Sequence, residues 1–250
     1  MAAQTGRGGG TDGLGLRVSV PAARFAGVST GGVPNPWFSW DYVSRNASDL
    51  LFYAGQHATL TLEALVLAVL VGVPLGVWAH RHPRAAGPLV GLTGVLYTVP
   101  SLALFAVLAP VTGIGRTTVL IGLVAYALLV VVRNTLVGLQ GADPEVDDAA
   151  RGMGYGPLRL LLRVQLPQAL PSVVAGVRLA GVSTVALVTV GVVVGYGGLG
   201  QLMFRGFRSG YHAEIMTATV LCLLMALVLD LALMAVGRAL TPWSREVQPA

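Results

Sequence analysis

Five long apolar runs joined by short polar links constrain this chain more than any other feature. They cover residues 59–78, 85–109, 118–139, 173–194 and 215–236. A helix needs roughly 20 apolar residues to cross a hydrocarbon core of about 30 Å, and each run meets that length. In lipid, backbone amides and carbonyls must find partners within their own segment, so such runs are expected to be helical. The predicted fold is an all-α, polytopic membrane bundle of about five transmembrane helices, or six if the stretch 42–56 also crosses. Only 11% of the residues are charged and 54% are hydrophobic. A typical soluble domain carries about 25% charged residues, so the bilayer is the expected surrounding of this chain.

The flanks read differently. Residues 1–36 are rich in Gly, Ala, Ser and Thr, lack the continuous apolar core of a signal peptide, and are expected to form a flexible tail. Residues 37–57 contain Trp37, Phe38, Trp40, Phe52 and Tyr53, aromatics suited to a membrane interface. They are read as an interfacial segment with a short helix over 41–56, lying along the surface or buried. The membrane domain then covers 58–240, with a C-terminal tail over 241–250.

Every one of the 16 basic residues is Arg. Without Lys the chain cannot hold the β- and γ-phosphates in a standard Walker A loop, nor form a Schiff base. Any ATP hydrolysis must belong to another polypeptide. The net charge of +5 comes with no dense basic run, so nucleic acid is not an expected partner. The arginines serve better as topology markers: Arg81, Arg84, Arg151, Arg159, Arg163, Arg238 and Arg245 share one side if the chain crosses five times. That side is expected to be cytoplasmic. His57, His80, His82 and His212 have no metal-site spacing, and the single Cys222 cannot form an internal disulfide.

Several spans carry more than an anchor requires. Pro74 and Pro100 interrupt the first and second runs and free backbone acceptors. Arg133 and Asn134 stand in the last turns of the third run and Arg178 in the first turns of the fourth. They either snorkel to the interface or face the interior and line a pathway. Glu63 and Asp230 are acids within apolar runs, and Arg238 is the expected partner of Asp230. Ala175, Gly176, Ala180, Gly181, Ser183 and Thr184 make the fourth run dense in small residues, which permits close helix contact.

The stretch 143–171 mixes charge, helix starts and prolines between two membrane runs. Asp143-Pro144-Glu145 is a helix start: an Asp cap, Pro in the first turn, then an acid. Val146, Ala149, Ala150 and Met153 recur at spacings of three and four, opposite Asp147, Asp148 and Arg151. Gly152 and Gly154 permit a stop, and Gly156-Pro157 begins a second short helix. A helix-turn-helix of this kind suits docking in a groove of a soluble partner, and an ordinary polar loop is the alternative reading of the same composition.

Asp148-Ala149-Ala150, Gly154 and Val164-Gln165-Leu166-Pro167 resemble the loop pattern of ABC-importer permeases, Glu-Ala-Ala-x3-Gly-x9-Ile-x-Leu-Pro, with all spacings kept. Asp148 stands for the Glu and Val164 for the Ile. The flanks Tyr97–Leu104, Val132–Thr135 and Gly195–Gly200 resemble the permeases that import glycine betaine, carnitine and choline. The resemblance runs from about Trp37 to Trp243. It implies a type I ABC importer fold of the methionine-permease kind, with a cytoplasmic coupling loop over 143–167 in the cell membrane. It also implies two ATPase subunits holding ATP and Mg, a second permease copy or paralogue, and an extracytoplasmic substrate-binding protein. The coupling residues are then Asp147, Asp148, Ala149, Ala150, Gly154, Val164, Leu166 and Pro167. Tyr97, Pro100, Ser101, Arg133, Asn134, Arg178, Tyr196, Gly197 and Gly198 are candidates for the pathway or gate.

Competing readings are weaker. Gly195-x-Gly197-x-x-Gly200 is a literal dinucleotide fingerprint, but no alternation of strands and helices surrounds it. No Gly-x-Ser-x-Gly turn with a partnering His suggests hydrolysis. The chain is not expected to be an enzyme. Import of another small solute, such as methionine, is the nearest alternative. A stand-alone secondary transporter using Glu63 and Asp230 is the alternative from a different class.

Overall fold

The computed structural model describes residues 35–245. Among them every regular element is helical. In chain order these are α1 (Trp40–Arg45), α2 (Ala47–Arg81), α3 (Pro83–Thr98), α4 (Ser101–Thr112), α5 (Arg116–Gln140), α6 (Pro144–Gly152), α7 (Pro157–Leu160), a π turn (Leu161–Gln165), α8 (Leu166–Val190), a 3-10 turn (Gly191–Val194), α9 (Leu199–Ser209), α10 (His212–Leu240) and a final 3-10 turn (Pro242–Arg245). Four helical stretches are long and apolar enough to cross a membrane: Ala47–Arg81, Arg116–Gln140, Pro157–Val194 and His212–Leu240.

The second predicted span is not one helix. It breaks at Val99-Pro100 into α3 and α4, because Pro100 has no amide hydrogen and disfavours helical geometry in the residue before it. The two pieces together still track α5 along its length. Thr112 shares a hydrogen bond of 2.6 Å with Thr118 at one end of the bundle. The Tyr126 hydroxyl donates to the Val99 carbonyl at the break. Pro83 lines a cavity with Gln140 at the other end.

The interfacial segment also differs from expectation. The predicted helix over 41–56 is divided: α1 ends at Arg45, and from Ala47 onward the residues belong to the 35-residue α2. The boundary drawn between 57 and 58 therefore falls inside one continuous helix of about 52 Å. Among the described residues no separate crossing precedes it. The predicted tail over 1–36 lies outside the described residues except for its last two. Of these, Asn35 donates to the Gly210 carbonyl (2.7 Å) and accepts from the His212 amide (2.9 Å), the first amide of α10. Trp37 stacks on His212 at 4.4 Å. The C-terminal tail is described only as far as Arg245.

Small residues set the helix packing. A Cβ on Gly76, two residues after Pro74, would sit 2.6 Å from Thr135, so α2 lies hard against α5 there. A Cβ on Gly138 would meet the Ala169 carbonyl at 2.9 Å, and one on Gly176 would meet Asn134 at 2.4 Å. The α2–α5–α8 core is thus a small-residue contact of the kind that lets membrane helices approach closely. Leu60, Phe105, Val119, Leu123 and Val188 fill it toward one end, and Leu139, Leu161 and Ala169 toward the end that carries α6. Helix α10 packs on α8 and α9, with Gly237 admitting Val174.

Candidate functional site

The elbow between α5 and α8 is built from its own short-range chemistry. Asp143 is the N-cap of α6, its carboxylate accepting from the Glu145 amide at 2.9 Å, with Pro144 in the first turn. The helix closes as a Schellman turn. The Tyr155 amide donates to the Ala150 carbonyl (3.1 Å) and the Gly154 amide to the Arg151 carbonyl (2.9 Å). Gly154 has φ +83°, the left-handed conformation that such a stop requires.

Two glutamines brace this helix against the next one. Gln165 donates to the Asp147 carboxylate at 2.6 Å, and Gln168 accepts from the Asp143 amide at 2.9 Å. Arg81 at the end of α2 donates to the Pro157 carbonyl at 3.2 Å, and Arg159 lies 4.3 Å over the Tyr155 ring.

The predicted coupling residues divide by orientation. Ala150 is buried against the elbow, at 2% exposure. Asp148 and Ala149 face outward, beside Val146 and Met153, and Met153 is 70% exposed. Asp147, Val164, Leu166 and Pro167 are half-buried, and Leu166 packs on the Leu139–Leu161–Ala169 cluster. The apolar stripe read from the sequence is therefore split, with one residue seated inward and the others presented.

The second short helix is not a separate element. α7, the π turn and α8 run on as one stretch, Pro157–Val194, of 38 residues. The Leu166 amide reaches back five residues to the Leu161 carbonyl, which is the π geometry. This widened turn ends at Gln165, two positions before Pro167, which lacks a hydrogen to donate.

The pathway candidates fall in three places. Tyr97 and Ser101 flank the α3–α4 break and line a cavity of about 360 Å³ with Tyr126, Ser183 and Thr184. Tyr97 also lines a neighbouring cavity of about 490 Å³, together with Arg133 and Asn134. Pro100 is the N-cap residue of α4 between them. Arg178 lies elsewhere, its guanidinium donating to Asp230 on α10 at 2.9 and 2.8 Å. Arg178 and not Arg238 is thus the residue that holds Asp230, because α8 and α10 turn these two faces toward one another. Glu63 pairs with Arg116.

Tyr196, Gly197 and Gly198 form a tight turn against α2. The Gly198 amide donates to Gln56 at 3.0 Å, and the Leu199 amide to His57 Nδ1 at 3.3 Å. His57, fully buried, lies 2.9 Å through Nε2 from the Val185 carbonyl. Since Nδ1 accepts, Nε2 carries the proton and donates, so the imidazole is neutral. Gly198 has φ +52°, and a Cβ there would meet His57 at 2.7 Å. Residue types alone suggested no role for His57. A His lying about 140 residues before a glycine-rich turn carries no local signal.

A broken apolar run, a capped elbow joined directly to a long apolar helix, and small-residue packing together make a helical bundle with several candidate membrane spans. The model of the family described as "Binding-protein-dependent transport system inner membrane component" matches residues 68–246. The chain belongs to that family: it is the permease subunit of an ABC importer, a multi-pass membrane protein of a transport family and not of a catalytic one.

Among its relatives is the carnitine transport permease protein OpuCB of Listeria monocytogenes, 35% identical over 80% of this chain and 92% of that one. The choline transport system permease protein OpuBB of Bacillus subtilis (strain 168) is 33% identical over 80% and 93%. The osmoprotectant import permease protein OsmW of Salmonella typhimurium is 35% identical over 80% and 96%. The fold is shared with a chain of the MetNI methionine ABC transporter in an inward-facing conformation. That match has TM-score 0.69 and 23% identity, over 75% of this chain and 94% of that one. A chain of an amino acid ABC transporter with histidines also matches, with TM-score 0.65 and 18% identity, over 81% and 100%.

Proposed function

We propose that this permease imports a small quaternary-ammonium osmoprotectant (glycine betaine, carnitine, choline or a close analogue) and is driven by a separate ATPase that docks on α6. The relatives that bind or move such solutes are about a third identical over four-fifths of the chain, which favours this class over methionine. The observation that carries the coupling reading is the elbow. Val146, Ala149 and Met153 are presented outward from a helix that its cap, its Schellman turn and two glutamines hold rigid.

A presented apolar stripe rimmed by charge suits a groove on a soluble subunit. The elbow then lies on the cytoplasmic side, as the arginines on that side suggest. ATP and Mg are held by the ATPase pair. Their closure displaces α6, and the continuous Pro157–Val194 stretch carries the displacement into the bundle. A second permease, identical or paralogous, and an external binding protein complete the importer.

Reconstitution tests this reading. The chain alone in liposomes is expected to give no uptake of labelled carnitine, glycine betaine or choline under any ion gradient. Addition of the ATPase, the partner permease, the binding protein and ATP is expected to restore uptake. Gradient-driven uptake by the chain alone would refute the proposal.

A further inference from the structure

Arg133 differs from Arg116 on the same helix and from Arg178 on α8. Arg116 pairs with Glu63 and Arg178 with Asp230, whereas Arg133 has no hydrogen bond or ion pair among the described residues. It is exposed and stands seven residues before the end of α5, about two turns inside the helix. An unpaired guanidinium on a spanning helix is costly and marks a place where something else meets the charge.

The cavity it lines has Tyr97 and Val130 in common with the neighbouring one, so the two adjoin across these side chains between α3, α5 and α8. Tyr97, where the two cavities adjoin, stands edge to face with Tyr126 of the cavity away from Arg133, 6.3 Å between centroids. Tyr126 spends its hydroxyl on the Val99 carbonyl, which holds its ring in place. No acidic residue lines either cavity. The pair of cavities is therefore aromatic at one end, cationic at the other and free of negative charge.

Aromatic faces attract a quaternary ammonium, and a guanidinium holds a carboxylate through two parallel hydrogen bonds. Tyr126 and Arg133 are seven residues apart, a rise of about 10 Å. Helical side chains lean toward the N-terminus, so Arg133 extends toward the aromatic end and shortens that gap. We propose that the two adjoining cavities together hold a small zwitterion end to end, ammonium against Tyr97 and Tyr126, carboxylate on Arg133. Arg133 is then the residue that separates carboxylated substrates from choline, which offers it no anion. This rests on the reading that the importer moves quaternary-ammonium solutes.

The test is the ratio of carnitine to choline uptake, measured with ATP in liposomes holding the complete importer. Wild type, Arg133→Gln, Arg133→Lys and Tyr97→Ala are compared. Arg133→Gln is expected to lower the ratio at least tenfold, and Arg133→Lys, which keeps the charge without the planar fork, to give an intermediate ratio. Tyr97→Ala is expected to weaken uptake of both solutes and leave the ratio within about twofold, since both carry the ammonium group. Equal loss of both solutes in Arg133→Gln would overturn the assignment and identify the guanidinium as an anchor to lipid phosphate or a neighbouring helix. An unchanged ratio, or a wild-type importer that moves choline and no carboxylated solute, would also overturn it. Wild type that moves neither solute with ATP would instead remove the osmoprotectant reading itself.

Discussion

The Arg178 guanidinium grips the Asp230 carboxylate through two near-parallel hydrogen bonds, 2.9 and 2.8 Å, and so joins α8 to α10 between their apolar faces. Removing one partner leaves the other charged and unmatched beside lipid, which costs more than removing both. Asp230→Asn and Arg178→Gln are each expected to lower the amount of folded protein in the membrane severalfold. The exchanged pair, Arg178→Asp with Asp230→Arg, is expected to recover most of it. Quantifying detergent-extractable, monodisperse protein for the four chains decides this. A double exchange no better than either single change would show that the pair's orientation and not its charge balance matters.

Gly154 tests the elbow through backbone conformation. At φ +83° an L residue is strained by roughly 1–2 kcal/mol, and Asn tolerates the conformation best. ATP-driven uptake per inserted protein is expected to fall in the order Gly154→Asn, Gly154→Ala, Gly154→Val. Gly154→Asp, whose backbone tolerates the turn but whose carboxylate adds a negative charge to the proposed docking face, is expected to abolish it while insertion continues. Normal uptake by Gly154→Val would sink the coupling role of the elbow.

A pair of alanine substitutions separates packing from propensity. Gly176→Ala pushes a methyl to 2.4 Å from Asn134 and is expected to destabilise by about 1–3 kcal/mol. Gly152→Ala meets nothing within 4 Å in the last turn of α6 and is expected to be neutral or stabilising by up to about 1 kcal/mol. Thermal unfolding in detergent should order them with Gly176→Ala lowest and Gly152→Ala at or above wild type.

His57 holds the glycine-rich turn to two helices at once. His57→Phe keeps the ring volume but leaves the Leu199 amide without its acceptor in a buried place. A loss of about 1–3 kcal/mol is expected. His57→Asn keeps one acceptor and is expected to lose less. Hydrogen exchange at the Leu199 amide is the direct readout: faster exchange in the Phe variant, and near-native exchange if the ring only fills space.

Much of this architecture was legible in the sequence because it follows from local rules. Runs of about twenty apolar residues, the Asp143-Pro144 start and the Gly154 stop each act within one turn of chain. The break at Pro100 was half legible: the proline signalled disruption, but the sequence did not show that α3 and α4 would become separate helices. The choice of Arg178 over Arg238 for Asp230 was hidden. It depends on how α8 and α10 rotate about their axes, which is settled by contacts such as Gly237 with Val174. The bracing by Gln165 and Gln168 was hidden for the same reason. Within the motif Gln165 occupies a position open to any residue, and its partner Asp147 lies 18 positions earlier.

The unbroken course from Pro157 to Val194 has a mechanical consequence. At about 1.5 Å per residue its 38 residues form a lever arm of about 57 Å. A tilt of about 5° pivoting at one end sweeps the other through about 5 Å on that length. Under the proposed coupling, opening or shutting a passage for a small solute at the far end would need no internal rearrangement of the arm, only a shallow rocking of it.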